Sequence, residues 1–162
     1  MFVIEDWLRV ARRILVKLAL IALLLLCGMI HGLADDKYYV QLIQATNDPD
    51  PPTKTAKAIG SKLGDKLSPL RWKHYWEIER RDTVLVTGKS KKVTLSGERA
   101  VEVAPSGEGK IEVRLYRGKE LARKSCHKAD ARMMAIFGGD EGEKAWFVVV
   151  RREEPQYHVA KH

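Results

Sequence analysis

Beyond its first 34 residues the chain alternates short apolar runs with clusters of turn formers, and for most of its length the hydrophobic period is two rather than 3.6. Tyr38-Tyr39-Val40-Gln41-Leu42-Ile43-Gln44 is aromatic and β-branched and stops at Asn47-Asp48-Pro49-Asp50-Pro51-Pro52, which predicts a strand and then a stiff surface loop. From Thr53 to Leu70 the period changes. Ile59, Leu63 and Leu67 recur every fourth residue, so a short amphipathic helix is expected near residues 55–67, weakened by Gly60 and Gly64 and stopped by Pro69.

Period two then returns. Arg71 to Arg80 places Trp72, His74, Trp76 and Ile78 on one face and Lys73, Tyr75, Glu77 and Glu79 on the other. Thr83–Val86 and Lys92–Leu95 flank the turn signal Thr87-Gly88-Lys89-Ser90, and Arg99–Val103 and Ile111–Tyr116 flank Pro105-Ser106-Gly107-Glu108-Gly109. Glu120–Cys126, Arg132–Phe137 and Ala145–Arg151 complete the series, the last apolar without interruption from Trp146 to Val150 and so expected to be central and covered on both faces. Strands recurring at about ten-residue intervals predict a single antiparallel β-sandwich, immunoglobulin-like or related, of about eight or nine short strands with one short helix. It is expected to occupy residues 35–155, with a disordered tail over 156–162.

The first 34 residues follow a different rule. Arg9, Arg12, Arg13 and Lys17 precede Leu18–Ile30, thirteen residues without a charge, and Gly32-Leu33-Ala34 sets small residues at the positions a signal peptidase reads. The expected cleavage is between Ala34 and Asp35. A helix over the thirteen uncharged residues is about 20 Å long, short of the ~30 Å hydrocarbon core, although Ile14–Ala34 spans it if Lys17 and His31 reach the interfaces. Residues 1–34 are therefore a signal peptide or an uncleaved membrane anchor, and with the cations first both fates send residues 35 onward out of the cytoplasm. Arg12-Arg13 resembles a twin-arginine export signal, but the leucine-rich stretch suits the general secretory route. Leu26 before Cys27 argues against lipidation.

Charge adds a bias toward partners. The chain carries +8, and four cations against two anions in the leader leave +6 on the exported part. Such a domain suits anionic partners, including acidic envelope polymers and lipid head groups, although acids and bases interspersed along the chain also suit a solvated surface. Cys126 is the single cysteine after the leader, so no internal disulfide forms, and a buried inert thiol is expected.

Candidate chemistry is sparse. No phosphate loop with its lysine, no Gly-x-Ser-x-Gly and no His-Glu-x-x-His occurs. Cys126, His127 and Asp130 lack a second ligand cluster, and His74 and Glu77 fall on opposite faces of a strand. Gly138-Gly139-Asp140-Glu141 matches the first four letters of the diguanylate cyclase signature, but Gly142 replaces the aromatic, and the two glycines with acids read as a plain hairpin loop. The strongest positive feature is Trp72, Lys73, Tyr75, Arg80 and Arg81, where aromatic and cationic side chains interleave as they do in surfaces that stack on sugars and pair with acidic groups.

The sequence therefore leads to a non-enzymatic, exported periplasmic, envelope or extracellular module. It needs no cofactor or metal, binds no specific nucleic acid, and takes a protein or an anionic envelope polymer as partner. Two other readings stay open: a membrane-anchored component of a secretion- or pilus-like assembly, and an extracellular hydrolase with dispersed catalytic residues.

Overall fold

The computed structural model describes residues 36–157; the leader, the Ala34–Asp35 bond and residues 158–162 lie outside the described residues. The described chain is mainly β, with nine strands in two antiparallel sheets and one short helix. The first sheet has the order β2-β3-β1-β9-β8, from β1 (Asp36–Thr46), β2 (Lys57–Ala58), β3 (His74–Leu85), β8 (Met134–Glu141) and β9 (Lys144–Arg151). The second is a meander of consecutive strands, β4 (Lys91–Thr94), β5 (Arg99–Pro105), β6 (Lys110–Arg117) and β7 (Glu120–Lys128).

Alternation along the strands explains how the sheets meet. Tyr38, Val40 and Leu42 of β1 and Val148 and Val150 of β9 turn one way, into a cluster with Val101, Val103, Ile111, Val113 and Leu115 of the second sheet. Ile43 and Ala45, with Phe147 and Val149, turn the other way into a second cluster. Helix α1 (Ser61–Leu67) covers that outer cluster by laying down Leu63 and Leu67, one turn apart, beside Ile59 and Trp72. β1 and β9 are thus buried on both faces, which is why each reads as an apolar run.

The strand pattern departs from expectation in three places. β3 is one strand across Glu79-Arg80-Arg81-Asp82, where a break between two strands was expected, because β1 pairs with it continuously through the charged stretch. Arg71, Trp72 and Lys73 precede β3 rather than belonging to it, and Trp72 is drawn into the cluster under α1. Opposite Leu42 and Ile43 stand Glu79 and Glu77, so Ile78 is an inserted bulge residue and Glu79 falls on the face opposite to Glu77.

The C-terminal boundary also moves. Gln156 and Tyr157, expected in a disordered tail, are held against the first sheet: Gly60 N–H donates to the Gln156 carbonyl at 2.9 Å, and Tyr157 bridges to Ile59. A side chain at Gly60 would meet that carbonyl at 2.4 Å, so the close approach requires glycine.

Candidate functional site: an arginine-lined mouth between the sheets

At one end of the inter-sheet core the apolar rows run out into arginine. In β5 the residues facing the core are Val103, Val101 and then Arg99; in β6 they are Ile111, Val113, Leu115 and then Arg117. Arg99 and Arg117 are register partners, and Arg123 of β7 pairs with Leu115, so the three cations gather at the same end. In β8 the core-facing row is Ala135, Phe137, Gly139 and Glu141, with Trp146 of β9 opposite Gly139. A side chain in phase with a core row normally meets apolar neighbours. Here the last layer is instead Arg99, Arg117, Arg123, Gly139, Glu141 and Trp146, which with the neighbouring Asp140 line a cleft of about 320 Å³.

Local geometry holds this mouth open. A bulge at Leu115/Tyr116 makes Ala122 an extra residue in β7 and brings it to the cleft wall. Gly138 and Gly139, expected in a hairpin loop, lie within β8, and the turn falls around Gly142. The reason is steric: a Cβ on Gly139 would lie 2.7 Å from the Trp146 ring, and one on Gly138 would lie 2.6 Å from Phe147. Bare backbone at Gly139 lets the indole lie flat across β8 as one wall of the mouth.

The charges within it are unequally satisfied. Arg99 pairs with Glu141 at 2.6 Å, and its guanidinium stacks on Trp146 at 4.5 Å from the ring centroid. Asp140 is engaged more distantly by Arg71, at 3.6 Å. Arg117 and Arg123 have no carboxylate within ion-pair distance among the described residues. Two unpaired guanidiniums beside a flat aromatic wall suit an anionic group joined to a planar or weakly polar body.

A second polar cluster lies on the outer face of the first sheet. Glu77, 6% exposed, accepts a hydrogen bond from the Tyr157 hydroxyl at 2.6 Å and another from the Gln41 amide. Burial, and then the hydrogen bond to Glu77, raise the Tyr157 hydroxyl far above the usual tyrosine range, so it stays protonated and donating. Burial lowers the pKa of Arg151, and the nearby Glu153 and Glu77 oppose that shift. The C-terminal segment closes this cluster: Lys62 and Glu153 pair at 2.5 Å, and the ring of Tyr157 lies under Lys57 and Arg80. Enclosed in this way, the cluster fastens the segment to the sheet.

The residues singled out from sequence do not form one surface. Trp72 is buried beneath α1, and Tyr75 packs against the same cluster with its hydroxyl donating to the Leu67 carbonyl at 2.8 Å. Lys73 is exposed, and its backbone N–H donates to Asn47 Oδ1. Arg80 points to the outer face beside Tyr157, while Arg81 is on the opposite face, paired with Glu79 at 2.7 Å. Cys126 corrects another expectation: it is exposed, because it pairs with Glu112 on the outward-facing row of β7, the terminal strand of its sheet. The sequence does contain a signal for the mouth, namely three arginines in phase with or paired to core positions, but each strand shows it singly.

No protein-family model, curated protein or solved structure matches the chain.

Proposed function

We propose that this protein is an exported, non-catalytic β-sandwich module whose mouth between the sheets captures an anionic partner in the periplasm, cell envelope or extracellular space. The observation that carries the reading is the pair Arg117 and Arg123, placed at the end of core rows with no carboxylate in ion-pair distance among the described residues and beside the Arg99–Trp146 stack. Both guanidiniums are exposed, and two neighbouring cations without counter-charges attract an anion. The cleft is at the small end of the ~300–1,000 Å³ typical of ligand sites, so it fits one charged unit of a polymer rather than a large free ligand. The meander in the second sheet makes the sandwich one related to, rather than copied from, the immunoglobulin order.

The test is a titration of the full chain with polyglutamate, with the polyuronate alginate and with neutral dextran, followed by tryptophan emission. Trp146→Phe assigns the signal to the mouth. Binding of an anionic polymer, weakened at least about tenfold in Arg117→Glu/Arg123→Glu, is the expected result; ΔΔG for tenfold is about 1.4 kcal/mol. Equal binding by the double variant sinks the reading.

The anchored alternative draws on the length of Ile14–Ala34. In that form the same module stands on a membrane as part of an envelope assembly. The intact mass of the protein from its native host separates the two, since a chain starting at Asp35 removes the anchor.

A further inference from the structure

We infer that the anionic partner of the mouth is an extended acidic peptide that adds as a strand to the free edge of β7, a step that rests on the reading of the mouth given above. β7 is the terminal strand of its sheet and pairs only with β6. β8, next in the chain, belongs to the other sheet, so one whole edge of a nine-residue strand has no strand partner among the described residues. Such an edge is a template for strand addition.

Exposure and charge select what adds. Every residue of β7 is exposed except Ser125 and His127, which are half-buried, and Leu121 presents an exposed apolar side chain beside the edge. Arg123, Lys124 and Lys128 stand against Glu120 alone. A second copy pairing here would set these cations against themselves, which is unfavourable for directly opposed like charges. An acidic strand reverses that sign, so the same charges that keep copies apart recruit the partner.

The edge and the mouth are continuous. Arg123 lies both on β7 and in the cleft wall, next to Arg117 where the β6–β7 hairpin closes. In an added strand, side chains alternate between faces, so acidic residues at every second position lie along the core-facing side of β7, where Arg123 is the cation and Lys124 and Lys128 face away, and deliver the last carboxylate to Arg123 and Arg117. Backbone hydrogen bonds supply the hold and the mouth supplies the selection.

The experiment uses the full chain in mild detergent and a capped heptapeptide of alternating threonine and glutamate. Two further peptides carry N-methyl groups at every glutamate or at every threonine. Successive N–H groups of a strand face opposite edges, so only one of the two methylated sets faces β7. The parent peptide is expected to bind, one methylated form to lose at least about tenfold in affinity, and the other to bind within about threefold of the parent. Two methylated peptides behaving alike, whether both bind or both fail, overturn strand addition. Alginate binding as tightly as the parent peptide, with the same loss in Arg117→Glu/Arg123→Glu, overturns the peptide as partner while the mouth reading stands. Failure of every anion overturns both, and a dimer that the parent peptide does not dissociate, seen by sedimentation, overturns the charge argument.

Discussion

Replacing Glu77 tests whether the polar cluster under the C-terminal segment is a structural fastening. Glu77→Leu removes the acceptor for two donors, the Tyr157 hydroxyl and the Gln41 amide, in a site where Glu77 itself is 6% exposed and Gln41 2%. Each orphaned buried donor costs about 1–3 kcal/mol, and the added apolar surface returns about 1.5 kcal/mol, so the net loss should be about 3 kcal/mol. Arg151 also loses one of the charges that oppose its desolvation. Glu77→Gln keeps an acceptor for Tyr157, and Gln41 can turn its amide to offer oxygen. It loses only the difference between two charge-assisted and two neutral hydrogen bonds, about 2 kcal/mol. For a domain of about 120 residues these losses lower Tm by about 12 °C and about 8 °C. The coupling is the sharper measurement. Tyr157→Phe should cost about 1–2 kcal/mol in the parent chain and nothing in Glu77→Leu, where the hydroxyl is already an orphan. Urea unfolding of the four proteins supplies the cycle, and additive losses would refute the argument.

Four further outcomes follow from particular contacts. Gly139→Ala puts a Cβ 2.7 Å from the Trp146 ring; overpacking of this kind costs about 1–3 kcal/mol, and the near-UV dichroism of Trp146 should change along with anion binding. Gly60→Ala collides with the Gln156 carbonyl, so limited proteolysis should cut residues 152–157 faster than in the parent, and an unchanged cleavage rate would count against the docked segment. The carboxyl of Glu102 sits below the usual range because the Tyr116 hydroxyl, then Ser90 and Arg114, donate to its charged form. A carboxyl lowered in the folded state adds stability above its unfolded pKa of about 4.3 and loses it as pH falls toward the folded value, so Glu102→Gln should flatten the acid limb of the denaturation midpoint against pH. Cys126, exposed on β7, should react with a thiol reagent under native conditions nearly as fast as in urea, and protection would contradict its placement.

The strands were legible because most of them sit at a boundary between a buried and an exposed face. Alternation marks β6 in that way, and continuous apolarity marks β9, which carries different cores on its two faces. Where the sequence misleads, pairing overrides local signals. The charged run Glu79–Asp82 resembles a break, yet its cations and anions sit on a strand whose partner, β1, is fixed on both sides, and Lys37 and Arg81 pair with Asp82 and Glu79. The Ile78 bulge cannot be read from composition, since it is a mismatch in count between two distant strands. Gly138-Gly139 looks like turn chemistry until the rings of β9 are placed across it. Cys126 has the type of a buried residue, and its phase in β7, opposite Glu112 rather than Val113, exposes it.

The mouth illustrates how far phase alone carries. Arg99, two residues before Val101, and Arg117, two after Leu115, announce that a core row ends in charge, which a single strand explains as the rim of any sheet. What makes them a site is coincidence across strands. Hairpin pairing sets Arg99 opposite Arg117 and Arg123 opposite Leu115, and the second sheet's rim meets Gly139 and Trp146 of the first. A rim that served solubility alone would gain from pairing its cations with the carboxylates it has, and Glu141 does satisfy Arg99. Arg117 and Arg123 are instead left facing an aromatic wall and an open strand edge, which is the charge the proposed partner would meet along β7.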